Sequence, residues 1–204
     1  MKKTEKAILE NELELTNINV ELEGLSDIMF DRFVDHSKES RPPDQKLYLI
    51  DENKATLPSA NIIAFFFNEN PPAGCAKTFE GRKGKDYCRI GQSHVFFDPL
   101  HIPLLCEGRE ITFSGFNNGS PFYIDPGNGG RTKGSGSNSI KQEAKPRPVL
   151  RLPWEIRFSI TLLKNAVIDE SKLHNWLKLG GLQIALGTYR PRFGRFRVSK
   201  FEVT

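Results

Sequence analysis

The chain has 204 residues, with 38% hydrophobic and 26% charged content, enough for one domain that buries its own core without a metal or disulfide staple. No apolar run approaches the ~20 residues that cross a bilayer, and Met1 to Leu15 lack the apolar centre of a signal peptide, so a cytoplasmic protein is expected. Net charge is +4 but uneven: Lys145 to Thr204 hold 12 Lys and Arg against 4 Asp and Glu, a net of +8, which leaves −4 for the rest.

A single domain over 1–204 is expected, opening on an N-terminal arm, 1–16, read as a short helix or a loose segment. From Ile18 the pattern turns to period two. Ile18, Val20 and Leu22 share one face and Asn19, Glu21 and Glu23 the other, which predicts a half-buried strand. Ser26 to Phe33 follows directly. Arg41-Pro42-Pro43-Asp44 is a turn, and Leu47 to Ile50 a short strand. Pro58 and Ser59 start a helix that runs to Asn68 and is stopped by Asn70-Pro71-Pro72-Ala73-Gly74. Lys77 to Arg89, rich in Lys, Arg and Gly, is expected to be an exposed loop or ragged hairpin. Val95 to Phe97 and Ile111 to Phe113 read as strands, with an irregular Pro99 to Pro103 between them.

Gly115 to Ser139 is the least structured stretch by composition. It belongs to a flexible insertion expected over 115–148. Order returns at Val149. Trp154, Ile156, Phe158 and Ile160 alternate with Glu155, Arg157 and Ser159, which predicts a strand. Asp169-Glu170-Ser171 supplies caps for a helix with an apolar stripe of Leu173, Trp176, Leu177, Leu179 and Leu182. Gly180-Gly181 within that stripe implies a close backbone approach or a break. Gly187 is taken as the helix end, and a last strand runs from about Arg195 to Val203. Without the insertion the order is βαββαβ. This predicts an α+β, ferredoxin-like (RNA-recognition-motif-like) antiparallel sheet with helices on one face.

The three cysteines, Cys75, Cys88 and Cys106, form no CxxC pair. They point to core thiols rather than to a zinc site with His94 and His101. No cofactor is expected. Gly127 to Lys133 only superficially suggests a phosphate loop: the spacing is not GxxxxGK[ST], and no apolar helix follows.

The chemistry concentrates near the C-terminus. Tyr189, Arg190, Arg192, Phe193 and Arg195 combine cations for phosphate with flat groups for bases, the mixture that single-strand grooves use. Gly187 and Gly194 are expected to let backbone approach a ligand. The bland alternative is a basic hairpin with aromatic anchors. Two further basic loops, with Lys83 and Lys85 and with Arg131 and Lys133, could clamp a phosphate backbone or merely keep the surface soluble. Arg32 and Arg147 complete the binding candidates. Asp27, Asp31, Asp35 and His36 could do acid–base or metal chemistry, though caps and ion pairs account for them as well, and no catalytic residue is assigned.

The segment Leu179 to Val198, with its Gly187-Thr188-Tyr189-Arg190-Pro191 and Gly194-Arg195-Phe196, resembles the C-terminal helix, basic glycine loop and strand of the RAMP superfamily. The likeness is to the backbone subunits of CRISPR effector complexes, and closer still to short phage-encoded proteins with a similar ending. Ser26 to Phe33 and Leu57 to Ile62 are similar to the openings of the same proteins. The resemblance implies a noncatalytic protein that coats single-stranded RNA or DNA with little sequence preference, as a homo-oligomer along the strand, in a phage setting. It also leaves two rivals open. One is an endoribonuclease of the superfamily, in some members of which an acidic residue after strand one cuts RNA. The other is a protein-interaction module mimicking a CRISPR subunit.

Overall fold

The structure, a computed structural model, describes residues 14–32, 41–127 and 145–204, together with the backbone of 131–132 and 140–141. It is built from helices and antiparallel sheet. The first strand, β1 (Leu15–Gly24), buries Ile18, Val20 and Leu22 and turns Asn17 and Asn19 outward. Two short strands, β2 (Ile28–Met29) and β3 (Leu49–Ile50), precede β4 (Lys54–Pro58). The chain then forms helices α1 (Ser59–Phe67), α2 (Cys75–Phe79) and α3 (Gly84–His94). Strands β5 (Val95–Asp98), β6 (His101–Cys106), β7 (Arg109–Glu110) and β8 (Phe122–Asp125) follow. A two-residue pair, β9 (Arg131–Thr132) and β10 (Ile140–Lys141), leads to β11 (Arg147–Leu150), β12 (Glu155–Leu163), α4 (Glu170–Gln183) and β13 (Phe196–Val203).

The main sheet has the order β13-β1-β12-β6-β4-β3, with β5 also paired to β12. β5 and β6 act as one interrupted strand alongside β12: Ile160 faces Phe97 and Ile156 faces Leu104. The segments starting at Ile18, Glu155 and Phe196 therefore lie side by side and antiparallel, as their alternation implied. One extra residue, Ser199, sits in β13 where the register shifts between Glu21 and Leu22. The bulge bends this edge strand and, with Lys200 and Glu202, discourages pairing with another chain. A separate small sheet, β2-β11-β8, stands beside the large one.

The three consecutive phenylalanines of α1 are all fully buried. Side chains about 100° apart on a helix can share this fate only if it is covered on several sides. Phe65 meets Phe196 of β13 at 5.4 Å, Phe66 stacks on Phe97 of β5 at 5.5 Å, and Phe67 meets Trp176 of α4 edge-on at 6.1 Å. Asp169 caps α4 by accepting from the Lys172 N–H at 2.7 Å.

Several expectations are corrected. Lys77 to Arg89 is helical, because Gly84, Cys88 and Gly91 recur at helical spacing and face the core. Their small size lets α3 press against α2 and the Phe67 ring. His101 to Cys106 is a strand despite Pro103, whereas Ile111 to Phe113 contributes only a bridge from Thr112 to Lys54. Phe122–Asp125, inside the stretch read as unstructured, is a strand paired with β11. Leu15 and Thr16 belong to β1 rather than to an arm, while 1–13 lie outside the described residues. Flexibility expected of 128–130, 133–139 and 142–144 likewise falls outside them. Leu179 and Leu182 of α4 are exposed, and the inward positions belong to Gly180 and Gly181. The helix ends at Gln183, before Gly187.

The Gly180-Gly181 pair marks a close approach. A Cβ on Gly181 would come within 2.6 Å of the Phe196 carbonyl oxygen in β13, and one on Gly180 within 2.6 Å of the Cys75 sulfur. Gly to Ala in an open helix gains about 1 kcal/mol. Here overpacking against backbone outweighs that gain, so Gly181→Ala should lose roughly 1–2 kcal/mol net in urea unfolding. A more stable variant would show that α4 can back away from β13 freely.

Candidate nucleic-acid interface

The segment from Ile184 to Arg195 is held by its ends and its middle. The Leu186 N–H donates to the Gly194 carbonyl at 3.0 Å, closing the loop on itself. The Gly194 N–H donates to the Asp27 carbonyl at 2.7 Å, and the Thr188 N–H to the Met29 carbonyl at 2.9 Å. Both glycines adopt φ of +76°, and a Cβ on either would collide with backbone, at Met29 for Gly187 and at Leu186 for Gly194. The glycines expected to admit a ligand thus admit the chain's own backbone.

This docking sets the loop against β2 and its neighbours. A cavity of about 190 Å³ opens between them. Met29, Pro126, Tyr189 and Phe193 supply apolar and aromatic wall; Asp125, Arg147 and Arg192 supply charge. The Arg147 guanidinium lies 5.8 Å from the Tyr189 ring centre, and that of Arg192 5.9 Å from Phe193. Tyr189 is 56% exposed. Its φ of +59° is in the left-handed region that a bulky residue rarely adopts.

A cationic group flanks the cavity. Asp31 accepts from Lys145 at 2.8 Å and from Arg147 at 3.0 Å. Burial raises its carboxyl pKa, but the hydrogen bonds and charges of Lys145 and Arg147 prevail and hold it below the ordinary value. Lys46 is buried and donates to the Pro146 carbonyl at 2.6 Å. Loss of solvent lowers its pKa, and Lys145 and Arg147 add to the effect, while Asp31 opposes it. One carboxylate therefore faces three cations. The Asp27 carboxylate, on the residue whose carbonyl receives the loop, accepts from the Leu152 N–H at 3.1 Å and from the Tyr123 hydroxyl at 3.0 Å. Burial and this hydrogen bond push the Tyr123 pKa up to about 12. Arg151 lies 4.5 Å from the same tyrosine ring.

Of the residues singled out in the sequence, Arg147, Tyr189, Arg192 and Phe193 meet at the cavity. Arg195 flanks the loop with an exposed side chain, its N–H bound to the Ser26 hydroxyl. Arg190 turns inward, donating to the Ala185 and Pro72 carbonyls at 3.4 Å, which makes it a loop anchor rather than a phosphate contact. Arg32 stands away from the cavity, 5.9 Å from the Tyr48 ring, on a separate cleft of about 650 Å³ shared with Arg41. Lys83 and Lys85 are exposed at the start of α3 and line neither opening. The side chain of Arg131 and all of Lys133, Asp35 and His36 lie outside the described residues.

Met29, Asp125 and Lys145 were not foreseen. The alternation around Met29 and Asp125 is too short to announce two strands that both pair with β11, one of them from 120 residues away. Cys75 and Cys88 are buried, and burial pushes the Cys75 thiol well above its ordinary pKa. Among the described residues no group of three His, Cys, Asp or Glu could hold a metal. No described helix is long and apolar enough to cross a membrane.

Asp31 restrains the cationic group and offsets part of its charge. Asp31→Asn should destabilise the fold by about 1–3 kcal/mol at neutral pH, the scale of hydrogen bonds to charged groups. Because its folded pKa is depressed, the carboxylate's contribution is present above the unfolded value near ~3.9 and lost as pH falls through the lower folded value. The variant should therefore show a shallower loss of stability on acidification, read by thermal melts from pH 6 downward. Parallel curves for parent and variant would remove Asp31 from this role.

Compared with known proteins, the chain matches no family model and no curated sequence.

Proposed function

We propose that this chain is a noncatalytic protein that binds single-stranded RNA or DNA along the edge formed by its C-terminal loop and the β2-β11-β8 sheet. The observation that carries the reading is the meeting of Arg147, Arg192, Tyr189 and Phe193 around one cavity, from segments far apart in sequence. Cations beside exposed aromatic faces are what strand-tracking grooves combine. The ferredoxin-like form of the core is part of the same proposal. In its favour is the strand order β13-β1-β12-β5/β6, which is 4-1-3-2 when these are counted along the chain. Kinship with the RAMP superfamily, a cytoplasmic setting and assembly of several copies along one strand extend the proposal through the resemblance of Leu179 to Val198.

The engagement of the acidic residues favours binding over cleavage. Asp27 already accepts two hydrogen bonds and Asp31 two charged ones. A carboxylate committed in this way is poorly placed to take a proton from a ribose hydroxyl. The outer face of the sheet is also unlike a stacking platform. It carries ion pairs, Arg157 with Glu21 at 3.3 Å and Lys200 with Glu202 at 3.0 Å. The strand is therefore assigned to the loop edge.

Counterion release sets the test. Each phosphate contact on a single strand contributes a slope of roughly −0.7 to log affinity against log salt. On strands of uridine alone, Arg192→Ala with Arg195→Ala should flatten the slope by about 1.4. Tyr189→Ala should cost ~1–3 kcal/mol in affinity with the slope unchanged, as a stacking residue would. Arg190→Ala should lower the melting temperature and leave the slope intact. A folded double variant that binds short labelled strands like the parent at every salt concentration would sink the assignment.

A further inference from the structure

We propose that the cavity lined by Tyr189 and Phe193 reads a guanine, so that strand binding, on which this inference rests, has one base-selective position. The volume of about 190 Å³ lies below the range of pockets for drug-sized ligands and suits one base rather than a nucleoside triphosphate. Its aromatic walls match a flat ligand.

The polar groups narrow the choice. A cavity built only to hold phosphate would contain no carboxylate, because a carboxylate repels phosphate. Asp125 nevertheless lines it. Its Oδ1 accepts from the Gly127 N–H at 2.8 Å, and its Oδ2 has no hydrogen-bond partner among the described residues. That second oxygen calls for a ligand bearing N–H donors. Arg192, with no ion pair among the described residues, calls for acceptors. Every base carries donors and acceptors, but guanine alone sets two N–H groups, N1 and N2, side by side for a carboxylate, with acceptors at O6 and N7 for an arginine. Adenine and cytosine bring one exocyclic amino group. Uracil flanks its one N–H with two carbonyl oxygens that Asp125 would repel. Capping the Gly127 N–H does not by itself require a charge, since an Asn oxygen would serve equally.

The test uses the full chain and short oligouridylates carrying one central guanosine, inosine, adenosine, cytidine or uridine, with affinity read by fluorescence anisotropy. The guanosine strand should bind roughly five- to a hundredfold more tightly than the all-uridine strand, the range of one good bidentate base contact. Inosine, which lacks the N2 amino group, should lose most of that advantage; this comparison needs no variant. Asp125→Asn keeps the acceptor for Gly127 and should bring the guanosine-to-uridine ratio close to one, with an unchanged melt as the check on folding. Equal affinity for all five strands would overturn the guanine pocket and leave strand binding standing. A ratio preserved in Asp125→Asn would overturn it too. No binding to any strand would overturn the strand-binding reading and this inference with it.

Discussion

Everything in this molecule converges on the main chain of Gly24 to Met29. The Gly24 N–H donates to the Trp154 carbonyl at 2.8 Å, fixing the start of β12. The Leu25 N–H donates to the Arg195 carbonyl at 2.7 Å, fixing the start of β13. The Ser26 carbonyl accepts from the Trp154 indole at 2.8 Å, and the Asp27 and Met29 carbonyls receive the C-terminal loop. Six residues thus join the main sheet, the small sheet and the loop. Buried backbone groups must find partners, and here the partners come from segments 120 or more residues away. Glycines make the approach possible: Gly24 leaves room for the Trp154 ring, and Gly187 for the Met29 carbonyl.

The same convergence sorts the charge. The net of +8 from Lys145 to Thr204 overstates what is offered to a polyanion. Arg157, Arg197 and Lys200 are taken up by Glu21, Glu23, Glu155 and Glu202 across the sheet, and Lys172 by Glu80. The acidic N-terminal strand and the basic C-terminal strand are neighbours, so much of the asymmetry cancels locally. Such exposed pairs contribute little to stability, typically 0–1 kcal/mol, but they do dispose of the cations. Five cations of Lys145 to Thr204 remain without an ion-pair partner among the described residues: Lys178 on α4, Arg190, which is spent on carbonyls, and Arg151, Arg192 and Arg195 at the loop end of the sheet. A total charge is thus a weaker guide than the pairing that topology imposes on it.

The strands with long alternation were legible. Ile18 to Leu22 and Ile156 to Leu162 bury every second residue, and the Asp169 cap fell where its carboxylate implied. What escaped had a physical reason. The period of α3 is carried by Gly84, Cys88 and Gly91, which look like loop residues until their neighbours are known. In α4 the face that packs most closely is glycine, so the leucine stripe misdirected the reading toward Leu179 and Leu182. At the site, composition singled out Tyr189, Arg192 and Phe193 but could not tell Arg190 from its neighbours. Their difference lies in which carbonyls each can reach, namely Ala185 and Pro72 for Arg190.

The conformation of Tyr189 connects the stability of the loop to its use. A non-glycine residue at positive φ costs of order 1–3 kcal/mol and persists only where surrounding contacts over-determine it. Those contacts are present on both sides: the Thr188 N–H on Met29, the Arg190 guanidinium on Ala185 and Pro72, and the Gly194 N–H on Asp27. Yet the ring they aim is more than half exposed and contributes no core packing. If the loop served only to join α4 to β13, an asparagine or glycine at this position would satisfy the backbone at lower cost. The strain thus maintains the orientation of an aromatic face beside Arg147 and the cavity, in a loop whose other members, Gly187, Arg190 and Gly194, are occupied in holding it there.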